Sequence, residues 1–356
     1  MTEEQGRALQ PVHAARPVYS GFMFTVGAGL ALLIFFVAQA NTQLLVWIGA
    51  ALFIALGLDP VVRALEKAGL PRPLGVLATM LVFVGAIGTF IAAVAPTVTH
   101  QMTRFITSLP GLIDGIAHSE WFQRLDDDFE VQEMVLSEVN RFTDEPSNIT
   151  SALGGLFGVG TAIVTTGFGM LVVAVLALYF LASLPAMKSW AYSLTPRSRR
   201  RRVRQLGDRI LHGVGYYVIG QACVALINGI VAYIAISIAG VPFGALFAVL
   251  AGILAFIPLV GPVTGGTIVT LFALTVDWQT ALTFGLIYFI YLQVEAYFVA
   301  PRIMSRAVKI PAAVAVISVI AGGSLLGVLG ALMAIPTAAA LMLLLREVVI
   351  LRQESR

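Results

Sequence analysis

Glu295 is the residue in this sequence best placed to do chemistry, because it is the only charge between Trp278 and Pro301 in an apolar stretch. A carboxylate at membrane depth costs a few kcal/mol on insertion scales and is by default a functional group. On that reading Glu295 binds a proton, a cation or a polar substrate and cycles its charge. The competing reading places it near the cytoplasmic interface, paired with Arg302 or another loop arginine. Gln293 and Tyr297 flank it and join the candidate set. Gln221 and Asn228 lie two helical turns apart on the preceding apolar stretch, so they share one face. Such amides either join helices by hydrogen bonds or bind ligand.

Two further clusters are made of backbone-breaking residues. Pro258, Gly261 and Pro262 sit near the middle of one uncharged run, and Gly322, Gly323 and Gly327 near the middle of another. Irregular backbone at membrane depth is tolerated where it is buried in protein or lines a wet cavity. Both tips are therefore candidate substrate sites. No phosphate-binding loop with a lysine, no paired metal ligands and no nucleophile elbow occur in the chain. His13, His100, His118 and His212 are isolated, and Cys223 is the single cysteine. An enzyme, a bound metal and a cofactor are not expected.

The elements that position these residues follow from composition. Only 12% of the 356 residues are charged, about half of the roughly 25% usual in soluble domains. Hydrophobic residues make up 58%, and the mean hydropathy is +0.91. Soluble enzymes, disordered chains and disulfide scaffolds are excluded, and an all-α polytopic membrane protein is expected. Apolar stretches of about 20 residues cross the hydrocarbon. They fall at 21–40 (too long for a signal peptide), 44–57, 74–95, 157–184, 213–239 and 280–298. The uncharged runs 242–276 and 311–345 each hold 35 residues. A straight helix of that length would reach about 50 Å, so each is read as a hairpin, spanning or re-entrant. About six full spans and two hairpins result. The order span, hairpin, span, hairpin makes an inverted repeat, the construction of many secondary transporters. Pro242 with Pro311 and Gly261 with Gly330 match at an offset of 69.

Charge sets the orientation. Nineteen of the 22 basic residues fall on one side if both termini are cytoplasmic. The run Arg197, Arg199, Arg200, Arg201, Arg202 and Arg204 is a juxtamembrane cluster suited to anionic lipid head groups, with no folded reader for nucleic acid. Ten acids between Asp114 and Glu145 mark an outside segment over about 97–154. Its apolar spacing (Phe105, Leu109, Leu112, Ile113, Ile116) suits amphipathic helices on the outer face, with a small folded domain as the alternative.

Residues in the second half resemble the autoinducer-2 exporter family of bacterial membrane transporters. The ordered set is Gly220-Gln221, Gly240-Val241-Pro242, Ile257-Pro258 with Gly261-Pro262, Gln293 with Glu295 and Pro301, then Val308-Lys309-Ile310-Pro311, Gly322-Gly323, Gly327, Gly330 and Pro336. The matched stretch covers about 210–345; the first half agrees in layout, including Leu58-Asp59-Pro60, but hardly in residues. Leu259 stands where the family pattern leads one to expect an aromatic. The resemblance implies a multi-pass inner-membrane transporter, a symmetric homo-oligomer with a pentamer as its expected form, and hairpins belonging to a mobile transport unit. Members of that family are described as autoinducer-2 exporters or as sodium/proton antiporters.

The expected organisation is a scaffold over 1–209 with a basic loop at about 186–209, a transport unit over 210–345 and a cytoplasmic tail over 346–356. The expected function is export of a small polar solute, autoinducer-2-like, by alternating access. The alternative is a cation/proton antiporter using Glu295, and from another class a non-transporting membrane scaffold.

Overall fold

The computed structural model describes residues 17–117, 154–304 and 310–347, and every regular element among them is helical. Most of the acidic segment lies outside the described residues. The chain divides into two compact units, Met1–Trp47 and Ile48–Arg356. In the first, α1 (Pro17–Ala40) gives way to α2 (Thr42–Lys67) at Asn41. The Asn41 amide donates to Val37 O at 2.8 Å and the Thr42 hydroxyl to Gln39 O at 2.7 Å. The Thr42 bond satisfies a carbonyl that the helix end leaves without a partner, while Val37 O also accepts from Asn41 N at 3.1 Å, so the polar triplet 41–43 makes a break without a loop.

In the second unit α2 continues through Pro60. A proline inside a helix removes the bond to the carbonyl four residues back, here Leu56 O. Gly215, far along the chain, packs directly against that freed carbonyl, with the Pro60 ring beside it. Next, α3 (Arg72–Ala117) runs 46 residues, about 69 Å, more than twice the hydrocarbon thickness. Residues 97–117 therefore extend a span as one continuous helix and do not form a separate helix on the outer face. Contacts at its far end explain the continuity: Gln101 Oε1 accepts from Leu246 N at 2.9 Å, and Phe105 packs edge-on against Phe243, Phe247 and Phe272.

After α4 (Gly154–Ser193) only Leu194–Pro196 separate it from α5 (Arg197–Ala239). The expected basic loop is thus largely the opening of a 43-residue helix. Arginine is a good helix former and Pro196 stands at the N-cap, where a missing N–H costs nothing. The first hairpin comprises α6 (Gly244–Leu254) and α7 (Val260–Ala273). Asp277 then caps α8 (Trp278–Val294), accepting from Thr280 N at 2.6 Å. The backbone bond from Thr280 holds the Asp277 carboxyl below its ordinary range. A π-helical turn, Glu295–Val299, joins α8 to α9 (Ala300–Ile303).

The last helix, α10 (Ala312–Leu345), is itself a hairpin. Leu326 and Gly327 leave helical dihedrals, at φ −131° and +61°. A Cβ on Gly322 would lie 3.0 Å from Ala334 Cβ, whereas residues 12 apart in a straight helix are about 18 Å apart. Six helices among the described residues are long and apolar enough to cross a membrane, and α10 is counted among them as one. The protein is an all-α, multi-pass membrane protein.

Helix directions come from which residues meet. Gly229 of α5 faces Gly252 of α6, and Gln221 meets Ala255, so α5 and α6 are antiparallel. Gly266 of α7 admits the Tyr288 ring of α8 while Thr270 meets Gly285, again antiparallel. Between α5 and α8, Gly220 meets Met304 and Asn228 meets Tyr288 and Glu295. The two long helices that precede the hairpins therefore run in opposite directions, as an inverted repeat requires. Their shared core is built from Ala232, Ile236, Ala251, Val269 and Phe284. Lipid tails are as apolar as these side chains, so close packing of small residues and buried polar links hold the helices together.

Candidate functional site

Three residues singled out as polar groups at depth are brought to one side of α5 and α8. Gln221, Asn228 and Glu295 are all buried, with Asn228 wholly inaccessible. The Asn228 amide donates to Glu295 Oε2 at 3.4 Å. The Tyr288 hydroxyl stands 3.1 Å from Asn228 Oδ1 and 3.2 Å from Pro262 O, so one proton is shared by two acceptors. Gln221 donates to Ala255 O at 2.7 Å. The tip of the first hairpin is thereby tied to α5 by one bond and to α8 by another. Hydrogen bonds between membrane helices average about 0.6 kcal/mol. Two of them bias the tip's position by roughly tenfold and are readily broken.

Glu295 is held in place by the local helix geometry. Pro301 has no N–H to offer the carbonyl of Tyr297, and its ring crowds that carbonyl. The helix widens instead, and Ala300 N–H bonds Glu295 O five residues back. Such π-turns are frequent at functional sites. The helix continues past Pro301 to Ile303, and Glu295 makes no ion pair with Arg302 among the described residues.

Tyr288 and Tyr291 belong to the cluster and were not anticipated. The Tyr291 hydroxyl is buried beside Glu295 without a hydrogen bond of normal geometry. The spacing 288, 291, 295 puts all three on one helix face, which is the signal that marks them. Gln293 and Tyr297 lie on exposed faces of the same helix, away from the cluster.

The hairpin tips differ in their partners. Pro258 and Gly261 close the first tip: Val260 N bonds Pro258 O at 2.8 Å and Gly261 N bonds Ile257 O at 2.9 Å. Leu259 is held between them at φ +68°, ψ −46°. This is a γ-turn in its rare, strained hand. Ile257 packs on Val319, Ala331 and Ala334, which brings the first tip against the second hairpin. In that second hairpin Gly322 meets Gly330 backbone to backbone, Gly323 meets Ala331, and Gly327 makes the turn.

At the opposite, basic end, Asp59 is buried and clamped by Arg63 Nη2 at 2.6 Å and Arg72 Nη2 at 3.5 Å. Arg72 also donates to Leu181 O at 3.1 Å, so three helices meet there. Arg63 contacts His212 of α5. The charge at Asp59 had no assigned role in the sequence reading. Its place one residue before the helix proline, four before Arg63, is what marks it. No group of three or more metal-ligating side chains occurs among the described residues.

Proteins with related sequences carry transport names. The chain is 28% identical over 310 residues to "Putative transport protein YueF" of Bacillus subtilis, covering 84% of this chain and 83% of that one. It is 26% identical over 313 residues to YrrI of the same organism, covering 85% and 86%, and 23% identical over 310 residues to YhhT of Escherichia coli, covering 84% and 83%; both carry the same form of name. Their names denote transport rather than catalysis. The profile described as AI-2E family transporter matches residues 27–350, and the chain belongs to that family of membrane transporters.

Proposed function

We propose that this protein is an alternating-access secondary transporter that moves a small polar solute and couples the movement to a proton or cation at Glu295. The observation that carries the reading is Glu295 itself: a buried carboxylate whose described neighbours are the Asn228 amide, one long bond away, and the Tyr291 hydroxyl, with no ion-pair partner among the described residues. A carboxylate at membrane depth is costly and by default a functional group, and on this reading Glu295 binds a proton or a cation during the cycle. Tyr288 supports the coupling, because its single proton serves Asn228 next to Glu295 or the Pro262 carbonyl of the hairpin tip. Loading Glu295 and releasing the tip then act on the same hydroxyl. The cluster is sealed in this conformation, so solute entry requires the tip to move away from Gln221 and Tyr288. The tips carrying Pro258, Gly261, Gly322, Gly323 and Gly327 are proposed to line the solute path, with residues 210–345 as the moving unit.

Cation/proton antiport is the second reading, and the same carboxylate, without an ion-pair partner among the described residues, favours it over export of a neutral, autoinducer-2-like solute. We place both termini and the arginine-rich end in the cytoplasm of the bacterial inner membrane, from the nineteen-to-three distribution of basic residues. Assembly as a symmetric oligomer, a pentamer by family resemblance, is part of the proposal. Reconstitution in liposomes with a solute panel and an imposed pH gradient tests it. Glu295→Gln is expected to lower gradient-dependent flux at least about tenfold, and wild-type pH dependence in that variant would refute the role of Glu295. Retained flux without pH dependence would assign Glu295 to coupling; loss of solute binding would assign it to the solute itself.

A further inference from the structure

The basic end holds a built cleft that the transport reading does not use. Its volume is about 760 Å³, within the range of small-molecule sites. It is walled by the last turns of α2 and α4 and the first turns of α3 and α5. Seven lysines and arginines line it against three carboxylates, a formal excess of four positive charges. Each carboxylate is already engaged. Asp59 is held by Arg63 and Arg72, Glu66 by Arg72 at 3.2 Å, and Asp208 by Lys188 at 3.7 Å and the Tyr192 hydroxyl at 3.2 Å. Gly207 leaves the room that lets the Tyr192 ring reach across to Asp208.

Three lining guanidinium groups, Arg197, Arg201 and Arg204, have no ion-pair partner among the described residues. Arg200 is fixed by Ser193 O at 3.0 Å and Thr195 O at 3.3 Å, which leaves its charge uncompensated while holding it at the rim. The Nε donors of Arg72 and Arg200 are buried without a hydrogen-bond partner. Guanidinium groups with donors to spare suit phosphate, because the planar fork pairs bidentately with its oxygens, and an excess of four positive charges suits an anion that carries several negative ones. Ordinary orientation by positive charge needs no cavity and no bonds that hold Arg72 and Arg200 at its wall; this cleft has both.

We infer that the cleft between Arg72, Lys188 and the opening of α5 binds a phosphate-rich polyanion, with Arg197, Arg201 and Arg204 as its principal contacts. The same chemistry is offered by a soluble diphosphate and by the head group of an anionic phospholipid. Occupancy would tie the α4–α5 turn to the Asp59 clamp and so fix the end of α5, the helix that carries Gln221 and Asn228.

The test titrates the purified full chain in neutral detergent with inorganic pyrophosphate, and in a second arm with phosphatidylcholine nanodiscs with and without cardiolipin, reading binding and thermal shift. Saturable binding is expected in at least one arm, and the arm that responds identifies the source. Arg201→Gln with Arg204→Gln, both exposed positions, is expected to weaken it at least about tenfold. Arg199→Gln, on the same helix but off the cleft, is expected to change it less than about twofold. Absence of saturable binding in both arms overturns the inference. So does an equal loss in Arg199→Gln, which would mean a diffuse basic surface and no site.

Discussion

At the first hairpin the chain reverses between Leu254 and Gly261 through a strained turn, and side chains of two neighbouring helices donate to its carbonyls. At the second it reverses at Leu326–Gly327. There the described side-chain hydrogen bonds, Ser324 to Ala321 O and Thr337 to Met333 O, stay within the hairpin itself. Both hairpins close in the same way, by a glycine on the returning arm set against a backbone carbonyl of the outgoing arm: Gly261 on Leu254 and Gly330 on Gly322. These are the two glycines matched at the repeat offset. The fold-back is thus common to both copies, while the polar latch is present in one. In a membrane, where apolar packing provides little orientation of its own, the polar bonds fix the position of the first tip and the second hairpin supplies the apolar surface it packs on; on the alternating-access proposal the first would be the gate.

The shared part is where substitution should do most damage. A methyl group at Gly261 or Gly330 would collide with backbone that has no rotamer to escape into. Gly261→Ala and Gly330→Ala should each destabilise the protein by about 3 kcal/mol, the upper end of overpacking costs. Thermal melting in detergent measures it, with Gly323→Ala as the control, because the site has only ordinary contact with Ala331 at 3.8 Å. A normal melting temperature for Gly261→Ala would break the equivalence of the two closures.

The unshared part should respond more gently and more locally. Replacing Gln221 by Leu and Tyr288 by Phe removes both donors to the first tip, worth about 1–2 kcal/mol together. Hydrogen exchange should rise over residues 255–262 and stay unchanged over 322–330. Equal acceleration at both tips would mean that the polar bonds stabilise the whole unit and do not act as a latch.

How much of this was legible beforehand depended on whether a residue type is out of place at its position. Glu295, Gln221 and Asn228 stood out because polar groups at depth are rare, and the hairpins because Pro258, Pro262 and Gly327 interrupt runs too long to be straight. Tyr288 did not stand out, since a tyrosine among aromatics looks like packing until the backbone brings Pro262 O within its reach. The continuation of α3 was hidden by Pro96, which resembles a stop signal but is overridden by tertiary contacts at Gln101 and Phe105. The helical start of α5 was hidden by its charge, because a run of arginines reads as loop when what it lacks is only an apolar face.

The finest distinction between the hairpins lies in how each turn residue tolerates positive φ. Gly327, at φ +61°, is the residue type suited to such backbone, whereas Leu259 takes φ +68° with a side chain attached and half exposed. Single strained residues of this kind cost on the order of 1–3 kcal/mol and persist only where surroundings over-determine them. For Leu259 the surroundings are the bonds on either side of it, Val260 N to Pro258 O and Gly261 N to Ile257 O. Leu259→Gly removes the steric strain but adds freedom to the unfolded chain, and these oppose each other. The net expected effect is small, a stabilisation of at most about 1 kcal/mol. Its functional effect should be larger than its thermal one. If strain at Leu259 keeps the shut tip close in energy to an open one, relieving it should favour the shut state and slow flux several-fold in liposomes, with the melting temperature hardly moved. Unchanged flux with a raised melting temperature would make Leu259 a turn residue and nothing more, and would leave the latch at Gln221 and Tyr288 as the sole device that separates the two hairpins.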